Sequence, residues 1–386
     1  MMHPSGPRTA LVVSGGGARA AYEVGVLKAL RELMPDPRRN PFPLLCGVSG
    51  GALNATRLAI AAEDFGAGVD ALETFWSELH AGDIYRADPF GVMVSGGRWF
   101  GTLALGWLFG GGPRALFDNR PLEDLLTQCL DFVGLEHAIA NHAIHALSIT
   151  CSGYTSGQCV SFFQGRADLE PWQRAQWGGA HVSLGVQHVM ASMAVPFLFP
   201  AVKLHREYFG DGVMRELVPL SPAIRLGADR ILVVSTGRMA VPEGERLPGD
   251  HYPGLAETAG HVLSGIYIDS LSADIERMNQ VNRLVSLVPE ALRQEQGIRW
   301  RPIELMVIEP SERLDFVALD HVHDLPWATR GLLHGIGAAE RGGGALVSYL
   351  LFEARYARAL IELGYRDAMA RSGEITAFLR LDLDAA

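Results

Sequence analysis

The chain has 386 residues, 48% of them hydrophobic and 20% charged, the balance of an ordinary folded protein with enough length to bury a sizeable core. Its 43 acidic and 33 basic residues leave a net charge of −10, which excludes the basic footprint of a nucleic-acid binder. Four cysteines (Cys46, Cys129, Cys151, Cys159), with no CxxC pair and no secretory leader before Thr9, argue against a disulfide framework and for a cytoplasmic protein.

Ala10-Leu11-Val12-Val13 is a short apolar run ended by Ser14 and three glycines, and Ala18 to Leu33 then shows helical periodicity. Leu44 to Val48 is a second apolar run, followed by a helical pattern over Gly50 to Ala62. Two strand-loop-helix units with continuously apolar strands predict a mainly parallel sheet covered by helices on both faces, an α/β three-layer sandwich. Helices are expected at Ala71 to Leu79 and Pro121 to Leu130. Ile144 to Thr150 and Gln158 to Phe163 read as a strand pair joined by turn residues. A helix at Gly185 to Met193 and strands at Glu207 to Phe209 and Arg230 to Val234 follow. The remainder reads as a long helix over Leu255 to Leu287, a strand over Ile303 to Ile308 that rejoins the sheet, and a helix over Ala345 to Leu363. Residues 9–236 thus form a core, with 237–386 a mostly helical part packed on the same domain.

One stretch raises a membrane question. Trp99 to Phe109 carries no charge over eleven residues, too short to span a bilayer, and reads either as a buried segment or as a surface-seeking lid.

Three motifs carry chemistry. Gly47-Val48-Ser49-Gly50-Gly51 is a G-x-S-x-G between a predicted strand and a predicted helix, the setting in which a strained turn projects a serine hydroxyl beside a helix N-terminus. Its bland alternative is a serine that merely caps the helix. Gly15-Gly16-Gly17-Ala18-Arg19 ends the first strand, where consecutive glycines bring backbone N–H groups close to an anion. That anion is either a dinucleotide pyrophosphate or the oxyanion of an acyl intermediate. The dinucleotide reading wants an acid at the tip of the next strand, and that strand ends in Ser49 instead. Gly210-Asp211-Gly212 follows a strand-like segment; alone it is a turn, but a carboxylate against a serine hydroxyl is a usable base.

In this order and on these elements, the three motifs resemble the patatin-like phospholipases, particularly their bacterial branch. Leu116 to Leu122, Ala191 to Pro200, Pro219 to Val234 and Leu363 to Ala368 are similar to the family as well. The resemblance covers residues 9–236 well and the rest loosely. It implies an α/β-hydrolase-related fold and a Ser-Asp dyad, with Ser49 as nucleophile and Asp211 as general base. The N–H groups of Gly15, Gly16, Gly17 and Ala18 would form the oxyanion hole, with Arg19, Gly47, Gly50, Gly51 and Gly212 supporting. Acyl esters of lipids would be cleaved through an acyl-enzyme without metal or other cofactor. Ser14 stands where many members have aspartate and Ala20 where many have glycine; neither change removes a catalytic group.

Other histidines rank lower. His321 and His323 have the spacing of two ligands on one strand face but no ligand cluster, and are read as surface loop; His205, His251 or His261 would complete a conventional triad. The expected function is a serine lipid acyl hydrolase, with a catalytically idle lipid- or protein-binding relative as the alternative from another class. The expected partners are a lipid or acyl ester and a transient, mainly hydrophobic membrane contact near Trp99 to Phe109.

Overall fold

Residues 7–88, 115–239, 252, 254–297, 300–335, 337–338 and 343–381 are described by the structure, a computed structural model. The Trp99 to Phe109 stretch and His251 lie outside these residues. The strands are β1 (Thr9–Val13), β2 (Leu44–Val48), β3 (Ala146–Gly153), β4 (Cys159–Gly165), β5 (Trp172–Gln173), β6 (Trp177–His181), β7 (Val202–Leu204), β8 (Glu207–Asp211), β9 (Arg230–Val234) and β10 (Glu304–Ile308); all but the short β5, β6 and β7 lie on runs that the sequence predicts. They join in one sheet of order β10-β9-β1-β2-β3-β4-β6-β5, with β8 on the end of β3 and β7 on β8. From β10 to β3 every pairing is parallel, whereas β3 pairs antiparallel with β4 and with β8. The fold is thus α/β with a mostly parallel central sheet, and β10 rejoins it as expected.

The helices are α1 (Ala21–Leu33), α2 (Gly50–Ile60), α3 (Phe65–Glu78), α4 (Ala81–Ile84), α5 (Arg120–Cys129), α6 (Phe132–Ala140), α7 (Val186–Ser192) and α8 (Ser221–Arg225). They continue with α9 (Leu255–Ser286), α10 (Glu290–Glu295), α11 (Leu314–Asp320), α12 (Trp327–Gly335), α13 (Gly344–Leu350), α14 (Ala354–Ala370) and α15 (Ser372–Leu379). None of the described helices is long and apolar enough to cross a membrane.

Alternation along each strand divides the core between two faces. Leu11, Val13, Leu45, Leu147, Ile149, Leu232 and Val234 pack with α1, α2, α3 and α14. Ala10, Val12, Leu44, Cys46, Val48, Ile231 and Val233 pack with α8 and with Leu271 and Met278 of α9. Parallel strands covered on both sides need no polar face, which is why their sequences read as unbroken apolar runs.

One helix differs from expectation. The pattern over Ala345 to Leu363 is split into α13 and α14 by Leu351–Glu353, a stretch without glycine or proline. Tertiary contacts make the break. Phe352 is buried and stacked on Trp76, with ring centroids 6.4 Å apart. The Glu353 carboxylate lies 2.9 Å from His80 Nδ1 and accepts the Ala81 N–H, and Leu350 O accepts the Tyr85 hydroxyl. His321 and His323 lie in a turn after α11, not on a strand, and His321 Nδ1 is 3.1 Å from its neighbour Asp324.

Candidate active site

Strand β2 passes into α2 through a single residue, Ser49. To make that turn Ser49 adopts φ 53° and ψ −129°, a region that side chains rarely occupy and that stores about 1–3 kcal/mol. The neighbours make it sterically feasible. A methyl on Gly47 would stand 2.5 Å from Gly51 O, and one on Gly51 would strike Val13 O and Ser14 O. Gly50 lies against Ala20 and the Gly17 carbonyl, so α2 presses on the turn after β1. The elbow is also tied from the far side: the Ser49 N–H donates to Ser192 Oγ (2.9 Å), whose hydroxyl donates to Thr150 O (2.7 Å).

Asp211 ends β8, opposite Cys151 of β3. Its N–H donates to Ala194 O and its carbonyl accepts Ser152 Oγ, both at 2.9 Å. Oδ1 accepts the Val213 N–H at 3.0 Å, and Oδ2 accepts the Ser49 hydroxyl at 2.6 Å. Gly212 packs against Thr150 O, which leaves no room for a side chain behind the aspartate. The structure thus brings Ser49 and Asp211 together, with 3% and 2% of their surfaces exposed. Burial pushes the Asp211 carboxyl up to about 7, against the opposing pull of the Ser49 hydroxyl and the Val213 N–H.

The glycine loop is the third wall. A methyl on Gly15 would stand 2.5 Å from Ser49 Cβ, which places this backbone directly beside the hydroxyl. Gly16 and Gly17 take φ 154° and 57°, and the Tyr349 carbonyl occupies the place of a side chain at Gly17. Ser14 Oγ accepts the Thr236 N–H (2.8 Å), while Thr236 Oγ1 donates to Gly15 O. The Gly15 carbonyl shares one peptide plane with the Gly16 N–H, so this bond fixes the direction of the latter. Among the described residues neither the Gly15 nor the Gly16 N–H has a protein acceptor. Ala18 and Arg19 belong to the single 3-10 turn Gly17–Ala20 that leads into α1. Arg19 is buried and points toward α13: Nε donates to Ser348 Oγ (2.7 Å), Nη2 to Ala345 O (3.4 Å), and the guanidinium lies 4.4 Å over the Tyr349 ring.

The space in front of Ser49 is a cavity of about 10 Å³, room for about one water. Val195, Met214, Leu263 and Tyr349 close it, and the Tyr349 hydroxyl donates to Leu263 O at 3.1 Å. Neither of the described candidates, His205 and His261, forms a triad with Ser49. His205 is exposed in the β7–β8 turn and His261 lines a different cavity.

Four further residues matter that motif reasoning passed over. Ser192, Ser152 and Thr236 position the elbow, the aspartate and the loop, but single serines and threonines far away in sequence carry no local signal. Glu216, five residues after Asp211, is buried with Oε2 unpartnered among the described residues. Burial, reinforced by Asp211 and Asp274 and opposed by the Thr150 hydroxyl, pushes its carboxyl up to about 8.

No curated protein matches the chain. Among solved structures, VipD from Legionella pneumophila is similar over 95% of this chain and 67% of that one, at 13% identity and a TM-score of 0.31. The family model described as patatin-like phospholipase matches residues 11–224, from β1 through the elbow and Asp211 to α8. More than half of the chain lies within that match, and it belongs to the patatin-like phospholipase family.

Proposed function

We propose that this protein is a serine lipid acyl hydrolase that works through Ser49 and Asp211. One observation carries the reading: a serine on a strained strand-to-helix turn donates a 2.6 Å hydrogen bond to a buried carboxylate. Asp211 takes the hydroxyl proton as Ser49 Oγ attacks the ester carbonyl. The oxyanion that forms is met by the N–H groups of Gly15 and Gly16, which have no acceptor among the described residues, and by the N-terminal end of α2, dipoles already in place. Collapse releases the alcohol, which takes the proton back from Asp211, and leaves an acyl-Ser49 ester. A water activated by the same carboxylate then hydrolyses that ester. Lipid esters are the substrate class the family implies.

The test is hydrolysis of a chain-length series of nitrophenyl esters and of a phospholipid by wild type, Ser49→Ala and Asp211→Asn. Both variants should lose at least about 10³-fold in kcat while remaining folded by circular dichroism, and a fluorophosphonate should label wild type only at Ser49. Full activity of Ser49→Ala would overturn the reading. A folded wild type that takes no label and cleaves no ester is instead the lipid- or protein-binding relative, for which the closed cavity over Ser49 is the supporting observation.

A further inference from the structure

Beside the dyad lies a second cavity, of about 460 Å³. The turn after β1, α9 and α13 wall both spaces: Gly15, Gly16, Leu263 and Tyr349 face the dyad, while Arg19, His261, Asp269 and Ala345 face the larger cavity. The two spaces are neighbours: Gly16 of the first packs against Thr236 and Arg19 of the second.

The charges around this cavity do not cancel evenly. On one wall Arg313 pairs with Asp315 at 2.6 Å and Glu312 with Arg366 at 3.0 Å. Arg238 and Glu257 are also engaged. Two charges stand apart. Arg19 is 5% exposed, and its partners are a serine hydroxyl, a backbone carbonyl and an aromatic ring, with no carboxylate among the described residues. A buried guanidinium without a counter-ion is costly, and an anion in the cavity would relieve that cost. Asp269, on the exposed side of α9, makes no ion pair or hydrogen bond among the described residues. Gly265, one turn before it, lies beside the Asp269 carboxylate.

An inner cation and an outer anion match one order of charges in a ligand. We infer that this cavity is a headgroup subsite that takes a phosphate followed by a terminal amine, with the phosphate toward Arg19 and the ammonium toward Asp269. In a phospholipid with an ethanolamine or choline headgroup the phosphate lies between the acylated glycerol and the amine, so both ends meet their complement while the ester stays at Ser49. A headgroup that ends in a neutral polyol leaves Asp269 without a partner. The inference rests on the acyl-hydrolase reading and narrows it to zwitterionic phospholipids.

The experiment compares dihexanoyl phosphatidylethanolamine, dihexanoyl phosphatidylglycerol and nitrophenyl hexanoate as soluble monomers, with wild type and Asp269→Asn. Wild type should prefer the ethanolamine lipid in kcat/KM. Asp269→Asn should lower that value about three- to fivefold, the size of one exposed ion pair, and leave the nitrophenyl ester unchanged. Equal rates on both phospholipids, unaltered by the substitution, overturn the subsite while nitrophenyl hydrolysis upholds the hydrolase. A second readout is independent of turnover: glycerophosphoethanolamine should raise the Tm of Ser49→Ala by mass action and raise it less in Ser49→Ala/Asp269→Asn. Equal stabilisation by inorganic phosphate would overturn the amine half of the site, and no stabilisation by either compound would overturn the site as a whole.

Discussion

A carboxyl group walled off from water holds its proton more tightly than the same group in an unfolded chain. For Asp211 the folded value is near 7 and the ordinary one 3.8. Between those two pH values the folded state binds the extra proton, so its contribution to stability is intact below about pH 4 and is lost as pH rises through 7. Asp211→Asn removes the charge while keeping both hydrogen bonds, Oδ1 to the Val213 N–H and Nδ2 to Ser49 Oγ. The variant should be inactive yet more stable than wild type by about 2–4 kcal/mol at pH 8.5, with the gap closing toward pH 4. Urea unfolding of both proteins at the two pH values checks this, and a gap that does not change with pH would show that Asp211 is not strained by its charge. Glu216, pushed up to about 8 by the same burial, adds a second loss of the same sign on the alkaline side. The site therefore carries two acids whose ionised forms the fold disfavours, and the mechanism uses one of them.

Among the described elements, α1 and α14 pack backbone against backbone. Gly25 faces the Ile361 carbonyl and Gly364 faces the Tyr22 carbonyl, each with no space for a methyl. Around this crossing the Tyr22 hydroxyl donates to Asp367 at 3.0 Å. Gly25→Ala should cost about 1–3 kcal/mol through overpacking, read as a lower Tm, and should lower activity as well, because α1 is the continuation of the glycine loop. An unchanged Tm would mean that the two helices separate at little cost. Much at this scale was legible in the sequence. β1, β2 and β9 stand out because central parallel strands buried on both faces are nearly all apolar, and Ser49 and Asp211 stand out because glycines flank them. The break at Leu351–Glu353 was hidden: it is made by Trp76, His80 and Tyr85, some 270 residues earlier in the chain. Ser192 and Thr236 were hidden for the same reason, since what makes them matter is where the sheet brings them.

Across the whole molecule, residues beyond the family match reach back to the site. β10 extends the sheet beside β9, Ser348 and Ala345 hold Arg19, and Leu263 and Tyr349 face Ser49. We infer that residues 9–236 and 237–386 form one folding unit. A chain ended after Thr236 would expose β9 as a bare edge and strip α14 from α1, so it should be insoluble or lack a cooperative melt. A truncated chain that melts cooperatively and takes the phosphonate label would show two separable units.

Turnover has a mechanical side as well. A space that admits one water does not admit an acyl chain, so Leu263 and Tyr349 must part before Ser49 meets an ester, and that movement breaks the hydrogen bond between them. Moving a helix through solvent meets friction, which bond-making at Ser49 does not. If parting limits the cycle, kcat should fall in proportion to viscosity as sucrose is added, and Tyr349→Phe, which cannot make that bond, should be faster and less sensitive. A rate indifferent to viscosity in both proteins would place the slow step in the chemistry. On the first outcome, this enzyme at rest is a spring-loaded door whose stiffness, more than the strength of its base, sets the pace.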